Sequence, residues 1–322
     1  MSTTISYFEA IVVGALQGVT ELFPVSSLGH SIIIPAVVGG SWAKDLDVSA
    51  PESPYLAFIV GLHVATAAAL LVFFWRDWVR IIKGAFSAIR YRRISTDGER
   101  LAALIVLATI PVGIAGLLLE HLFRTVLGKP MPAAAFLFAN GLVLFAGEHL
   151  RRRSAAAAER SLVQDHVLMA TDRVQTLPAN QHGTADQQED LQSDSRLAGL
   201  TLKKGVLIGC AQILALLPGI SRSGATMVAG LTSGLSHRDA ARFSFLLATP
   251  VILAAGVLKT RDLFTLGQGI GGQILAGSIA SFVCAYLAVR FLEKYFHTKT
   301  LLPFAIYCLA AGGASFIVLA LR

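Results

Sequence analysis

Apolar residues run through this chain in blocks about as long as a membrane crossing, and polar residues gather between them. The blocks fall at about 54–75, 101–119, 132–150, 243–260, 272–290 and 301–321, each close to the roughly 20 residues that carry a helix across hydrocarbon. Two further stretches break the rule. Residues 5–39 and 203–235 are apolar at both ends but interrupted, the first from Pro24 to Gly29 and the second from Pro218 to Gly224. Residues 5–39 are too long for one span and too short for two, and 203–235 repeat that pattern. This predicts a pair of re-entrant hairpins; in the first, a helix runs to about Leu22, a turn covers P-V-S-S-L-G, and a helix returns from about His30. Irregular backbone at membrane depth is tolerated only against protein or a wet cavity.

Each half then holds one hairpin and three spans. Three is odd, so the second half is inverted relative to the first, as in other proteins with broken helices at the midplane. The fold class expected is an all-α polytopic membrane protein: six transmembrane helices plus two re-entrant helical hairpins in an inverted repeat. The first repeat is 1–150 with its hairpin at 5–39. The second is 203–322 with its hairpin at 203–235, and 151–202 lies between them. One similarity does not fit the repeat: L-A-T-I-P-V at 107–112 and L-A-T-P-V at 247–251 sit at non-matching places, which reads as chance or shared kink chemistry.

Composition agrees with a membrane protein. Of 322 residues 54% are hydrophobic and 15% charged, against about 25% charged in soluble domains, and the mean hydropathy is +0.65. The net charge of +7 does not point to nucleic acid, because the basic residues lie in loops between spans. Segment 76–100 holds Arg76, Arg80, Lys83, Arg90, Arg92, Arg93 and Arg100, whereas 120–131 holds only Arg124 and Lys129. That contrast puts 76–100 and 151–204 in the cytoplasm and 40–53 and 120–131 outside. Within 151–202, the segment from about Ser154 to Ser195 is rich in Ala, Gln and Asp with almost no aromatic residue, which predicts a flexible loop or a frayed helix. Cys210, Cys284 and Cys308 lie in apolar segments without metal-ligand spacing and read as core residues. No basic region precedes the first apolar stretch, which contains Glu9 and Glu21, so it is expected to be retained.

The candidate chemistry sits at the two interruptions. Q-G-V-T-E-L-F-P-V-S-S-L-G-H (17–30) places Gln17, Thr20, Glu21, Ser26, Ser27 and His30 within an apolar region, and ionisable groups at membrane depth mark function. Q-I-L-A-L-L-P-G-I-S-R-S-G-A-T (212–226) adds Ser221, Arg222, Ser223 and Thr226. Serines after each turn suit helix N-caps, and the free N–H groups of helix starts suit phosphate. Arg222 adds a fork matched to phosphate oxygens. Glu21, one turn after Gln17, puts two hard oxygens on one face, a donor set for Mg²⁺ or Ca²⁺ with substrate phosphate. Ser27 is a candidate nucleophile, and His30 a base or a second nucleophile. Structural roles compete: an ion pair for Glu21 and Arg222, caps for Ser26, Ser221 and Ser223, and a helix-start histidine for His30. His63, alone on an apolar span, reads as packed and hydrogen-bonded. Trp75, Trp78 and Tyr91 read as interface aromatics, and Glu148 and His149 as pairing with Arg151–Arg153.

The residues at 18–30 and L-L-P-G-I-S-R-S-G-A-T at 216–226 resemble the paired signature motifs of the undecaprenyl-diphosphate phosphatases of the bacitracin-resistance type. The likeness extends through F-S-F-L-L-A-T-P (243–250) and L-P-F-A-I-Y (302–307) and covers most of the chain outside about 151–200. It implies hydrolysis of the C55 isoprenoid diphosphate to the monophosphate and inorganic phosphate, which recycles the carrier lipid for cell-wall synthesis. It also implies a divalent metal and a bacterial inner-membrane site facing the periplasm or outer surface. By motif, Glu21, Ser27, His30 and Arg222 are the catalytic set. Gln17, Ser26, Ser221, Ser223 and Thr226 join Arg222 on the substrate, and Glu21 and Gln17 hold the metal. Gln17 stands where the family often has Glu, which leaves Glu21 to carry the acidic role. His63 stands where the family has Gln. A polyprenyl-phosphate transporter or flippase built on the same inverted repeat is the rival reading. A homodimer stays open.

Overall fold

In a computed structural model, residues 5–46, 54–122, 126–168, 185–259 and 269–322 are described, and among them there are helices and turns but no strand. In order they are α1 (Tyr7–Leu22), α2 (Ser27–Val38), α3 (Gly40–Asp45), α4 (Pro54–Phe73), α5 (Trp75–Tyr91), α6 (Asp97–Leu122) and α7 (Pro130–Leu168). Then come α8 (Ala185–Ala198), α9 (Leu202–Ala211), a 3₁₀ turn (Gln212–Leu216), α10 (Arg222–Thr232), α11 (His237–Leu258), α12 (Gly271–Tyr295) and α13 (Leu302–Ala320).

Five helical segments are each long and apolar enough to cross a membrane: 97–119, 130–153, 237–258, 271–295 and 302–320. Two bent pairs raise the count to as many as seven. Both interruptions read from the sequence are present. The chain breaks between α1 and α2 at Phe23–Ser26, and between α9 and α10 through the 3₁₀ turn and Leu217–Ser221. The first return helix begins at Ser27, three residues before the expected His30. Ser26 caps it, its Oγ accepting from Gly29 N at 3.3 Å. α1 itself starts in a reciprocal cap: Ser6 Oγ accepts from Glu9 N, and the Glu9 carboxylate accepts from Ser6 N, which accounts for an acid at the head of an apolar helix.

The helix leading into each interruption packs on a helix distant in sequence, α1 on α12 and α9 on α6. Both contacts need glycine. A Cβ on Gly18 would sit 2.3 Å from Ser281 O, and one on Gly209 would sit 2.2 Å from Ala108 O. Backbones approach this closely in membranes where small residues line the seam.

One expectation needs correction. Segment 76–100 is not simply a loop. After an 86° bend at Phe74 the chain continues as α5, with Trp75, Val79, Ile82, Phe86 and Ile89 exposed along one stripe and Arg76, Arg80, Lys83 and Arg90 beside them. Spacings of three and four give this helix one exposed apolar face, with basic residues beside it. Within 151–202, read as a flexible loop or a frayed helix, α7 runs on to Leu168 and α8 covers 185–198; residues 169–184 lie outside the described residues. The end of α8 is pinned by charge rather than by apolar burial alone. Asp194 meets Arg242 at 2.7 Å and Arg80 at 2.9 Å, and Arg196 and Ser193 hold Asp239 at 2.7 and 2.6 Å. Arg242 is almost fully buried and also reaches Asp77 at 2.6 Å. The composition of this segment carried no sign of those partners.

Candidate active site

The two hairpin tips meet, and polar contacts join them. Ser26 Oγ accepts from Gly219 N of the second tip at 3.2 Å. Ser223 Oγ donates to Phe23 O at 3.1 Å, and Ser221 Oγ to the same carbonyl at 3.4 Å. Asn140 of α7 lies fully buried between the tips. Its amide nitrogen donates to Pro24 O of the first tip, and its oxygen accepts from Ser221 N of the second, each at 3.0 Å. Each tip exposes backbone groups that its own broken helix cannot satisfy, and Asn140 satisfies one from each. Ser26 carries the tip's unusual geometry, with φ 70° and ψ 100°. A serine there is strained, and such strain collects at functional sites.

Beside the tips lies a cavity of about 320 Å³ whose wall includes Glu21, Ser26, Ser27, His63, Gln212, Ser221 and Arg222. Its remaining wall is largely apolar, with Ile59 and Val60 of α4, Val112 of α6 and Val251 and Ile252 of α11, and Lys259 stands just past the end of α11. Glu21 is the centre of its polar contacts. One carboxylate oxygen is paired with the Arg222 guanidinium. The other accepts from Ser27 Oγ at 2.5 Å and from Gln17 Nε2 at 3.0 Å. Arg222 also donates to Ala248 O of α11 at 3.2 Å. Ser221 caps α10, its Oγ accepting from Gly224 N at 3.1 Å. Ser26 and Ser221 thus each cap a helix at the cavity. Those two helix starts, with the Arg222 fork, make a site suited to a phosphate group.

The expected site residues do not all arrive here. Glu21, Ser27, Ser26, Ser221 and Arg222 line the cavity, and Gln17 stands behind Glu21. Ser223 joins the tips through Phe23 O, and Thr226 bonds back to Arg222 O of its own helix at 2.8 Å; neither is on the cavity wall. His30 is not on the cavity wall. Its Nδ1 meets Ser26 O at 2.7 Å, so that nitrogen carries the proton, and its Nε2 meets the Tyr307 hydroxyl of α13 at 2.8 Å. With both nitrogens engaged, the ring ties the first hairpin to the last helix.

His63, by contrast, does reach the cavity wall. It is hydrogen-bonded as expected, Nδ1 to Ile59 O at 2.9 Å, but its Nε2 lies 3.4 Å from Glu21 and the ring lines the cavity. Sequence reasoning treated it as packing because nothing polar neighbours it except Thr66. Asn140 was not singled out at all, although a lone amide within an apolar span was the available signal.

Among the described residues no three or more His, Cys, Asp or Glu side chains converge as metal ligands. Among the described residues, hard oxygens for a cation are offered by the Glu21 carboxylate and by Gln17 Oε1, a buried acceptor with no partner there. So sparse a set fits Mg²⁺ or Ca²⁺, which complete their shells with water and phosphate, and not a structural zinc.

Comparison with known proteins gives a consistent result. The family described as "Bacitracin resistance protein BacA" matches residues 10–314. A Mycolicibacterium paratuberculosis protein named undecaprenyl-diphosphatase is 68% identical over 100% of both chains. Undecaprenyl-diphosphatase 1 of Frankia casuarinae is 51% identical over 96% of this chain and 97% of its own. The undecaprenyl-diphosphatase of Gluconacetobacter diazotrophicus is 39% identical over 99% of each.

Proposed function

The chain belongs to the bacitracin resistance protein BacA family, and on that footing we propose that it is an undecaprenyl-diphosphatase. It hydrolyses undecaprenyl diphosphate to undecaprenyl phosphate and inorganic phosphate, recycling the cell-wall carrier lipid and thereby conferring bacitracin resistance. The observation that carries this reading is a serine hydroxyl and a guanidinium, Ser27 and Arg222, each in contact with the Glu21 carboxylate on the wall of a largely apolar cavity.

The diphosphate enters with its charge toward Arg222 and the helix starts capped by Ser26 and Ser221, and its isoprenoid lies along Ile59, Val60, Val112, Val251 and Ile252. Arg222 exchanges Glu21 for phosphate oxygens. Glu21 is then free to take the Ser27 proton as Oγ attacks the terminal phosphorus. The bond to the bridging oxygen breaks, and undecaprenyl phosphate leaves with that oxygen and takes the proton from Glu21, which returns to the carboxylate. Glu21 then takes a proton from water as the water oxygen attacks the phosphoserine, the phosphorus–Oγ bond breaks to release inorganic phosphate, and Glu21 returns that proton to Ser27 Oγ. Fixed donors aimed at the phosphoryl oxygens supply most of the rate enhancement. Mg²⁺ or Ca²⁺, held by Glu21 and Gln17 Oε1 together with the diphosphate, would supply further charge neutralisation. His30 is a positioning residue in this scheme.

Within the membrane, each half is read as one hairpin plus three spans: α1–α2 with α4, α6 and α7, then α9–α10 with α11, α12 and α13. The reciprocal packing of α1 on α12 and α9 on α6 supports an inverted repeat. Twenty basic residues fall on the inner side in this arrangement and five on the outer. Lys259, one of the outer five, stands at the cavity wall, which supports a site opening to the outer face of the bacterial inner membrane.

The deciding experiment is phosphate release from undecaprenyl diphosphate by the purified protein in detergent, with Mg²⁺, with Ca²⁺ and with chelator. Metal-dependent release that vanishes in Arg222→Ala is expected. Binding without release would overturn the phosphatase reading in favour of a transporter.

A further inference from the structure

Gln212 opens the second interruption as Gln17 opens the first, yet the two amides have different surroundings. Four residues beyond Gln17 is Glu21, and the Gln17 amide donates to it at 3.0 Å. Four residues beyond Gln212 is Leu216, which offers no partner. Gln212 is 1% exposed, and no hydrogen bond reaches either its Nε2 or its Oε1 among the described residues. A buried amide with no partner costs folding free energy and calls for an explanation.

Its position supplies one. Gln212 lies on the wall of the same cavity as Glu21, Ser27 and Arg222. It begins a 3₁₀ turn rather than an α-helix, so the residue on its face is three positions on. That residue is Ala215, also on the cavity wall and too short to cover the amide.

We infer that Gln212 is a substrate-binding residue, its amide N–H groups donating to an oxygen of the lipid diphosphate opposite Arg222. The inference rests on the phosphatase reading and deepens it: the site grips its diphosphate from three directions, through Arg222, through the capped helix starts and through this amide. Gln212 takes no part in bond breaking and holds the diphosphate equally in ground and transition states. Its loss therefore raises KM and leaves kcat nearly unchanged.

The test compares the wild type with Gln212→Met, which keeps length and volume but removes the donors, and with Gln212→Glu, which keeps shape but sets a negative charge against the diphosphate. Phosphate release gives KM and kcat, and thermal unfolding of the detergent-solubilised protein without lipid gives stability. Gln212→Met is expected to raise KM about tenfold or more with kcat within about threefold, the loss of one hydrogen bond to a charged group. Its thermal midpoint is expected not to fall, because the wild-type amide has no protein partner to lose. Gln212→Glu is expected to raise KM further. An unchanged KM in either variant would overturn the inference, as would a fall in the Gln212→Met thermal midpoint with no change in KM. If the wild type binds the lipid diphosphate but releases no phosphate, the phosphatase reading fails separately. The Kd values of wild type and variants for that lipid then decide the role of Gln212.

Discussion

Asn140→Ala tests whether the site depends on joining the two hairpin tips. The side chain is fully buried and makes two contacts of 3.0 Å, one to each tip. Truncation leaves Ser221 N without its acceptor and Pro24 O without this donor. Each buried backbone group left unsatisfied costs about 1–3 kcal/mol, but Ser221 borders the cavity, where water can replace part of the loss. The expected destabilisation is therefore about 2–4 kcal/mol, a large share of a typical total stability. The effect on rate follows from geometry: Ser27 is on the first tip and Arg222 on the second. A relative shift of about 1 Å between reacting groups costs about a hundredfold. Phosphate release at saturating lipid, with thermal unfolding measured on the same preparation, checks both numbers. Asn140→Asp keeps the acceptor for Ser221 N, loses the donor to Pro24 O and buries a charge, so it is expected to be no better than alanine. A kcat and a thermal midpoint indistinguishable from wild type in Asn140→Ala would refute the argument that this amide aligns the tips.

Three other outcomes follow from the same contacts. Ser27→Ala is expected to lower phosphate release by about a thousandfold or more while the protein still binds the lipid, as binding and turnover measured together would reveal. His30→Asn is expected to lower the thermal midpoint, because the contacts with Tyr307 and Ser26 are lost, and to keep more than about a tenth of kcat; complete inactivation of a folded variant would restore His30 to the chemistry. Asp194→Ala removes one of two carboxylates from buried Arg242. A loss of about 1–3 kcal/mol in stability is expected, with KM for the lipid unchanged, and a raised KM would tie the end of α8 to the cavity.

Much of this was legible in the amino-acid order, for a physical reason. Crossing hydrocarbon imposes a length and an apolar composition on every span, and a broken helix at depth has to carry its polar residues locally. The positions of the spans, the interruptions at Pro24 and Pro218, and the concentration of Glu21, Ser27 and Arg222 beside them are therefore properties of the sequence itself. The extension of helix into 75–91 and 192–198 was harder to read, because those segments are amphipathic or charged and gain stability from an interface or from distant arginines rather than from their own apolar content.

By itself the sequence determined the all-helical membrane class, the apolar segments and their two interruptions, and the gathering of polar residues beside them. Which partners those residues meet was decided by the tertiary structure, because a contact depends on which atoms face each other once distant parts of the chain pack together. His30 is turned to Tyr307 by a contact 277 residues long, and His63 is brought to Glu21 by the packing of α4 against α1. Asn140, unremarkable on its own span, becomes the link between the tips only once both tips reach it. Local pattern reports what a residue can do; only the packing of distant helices selects the partner with which it does it.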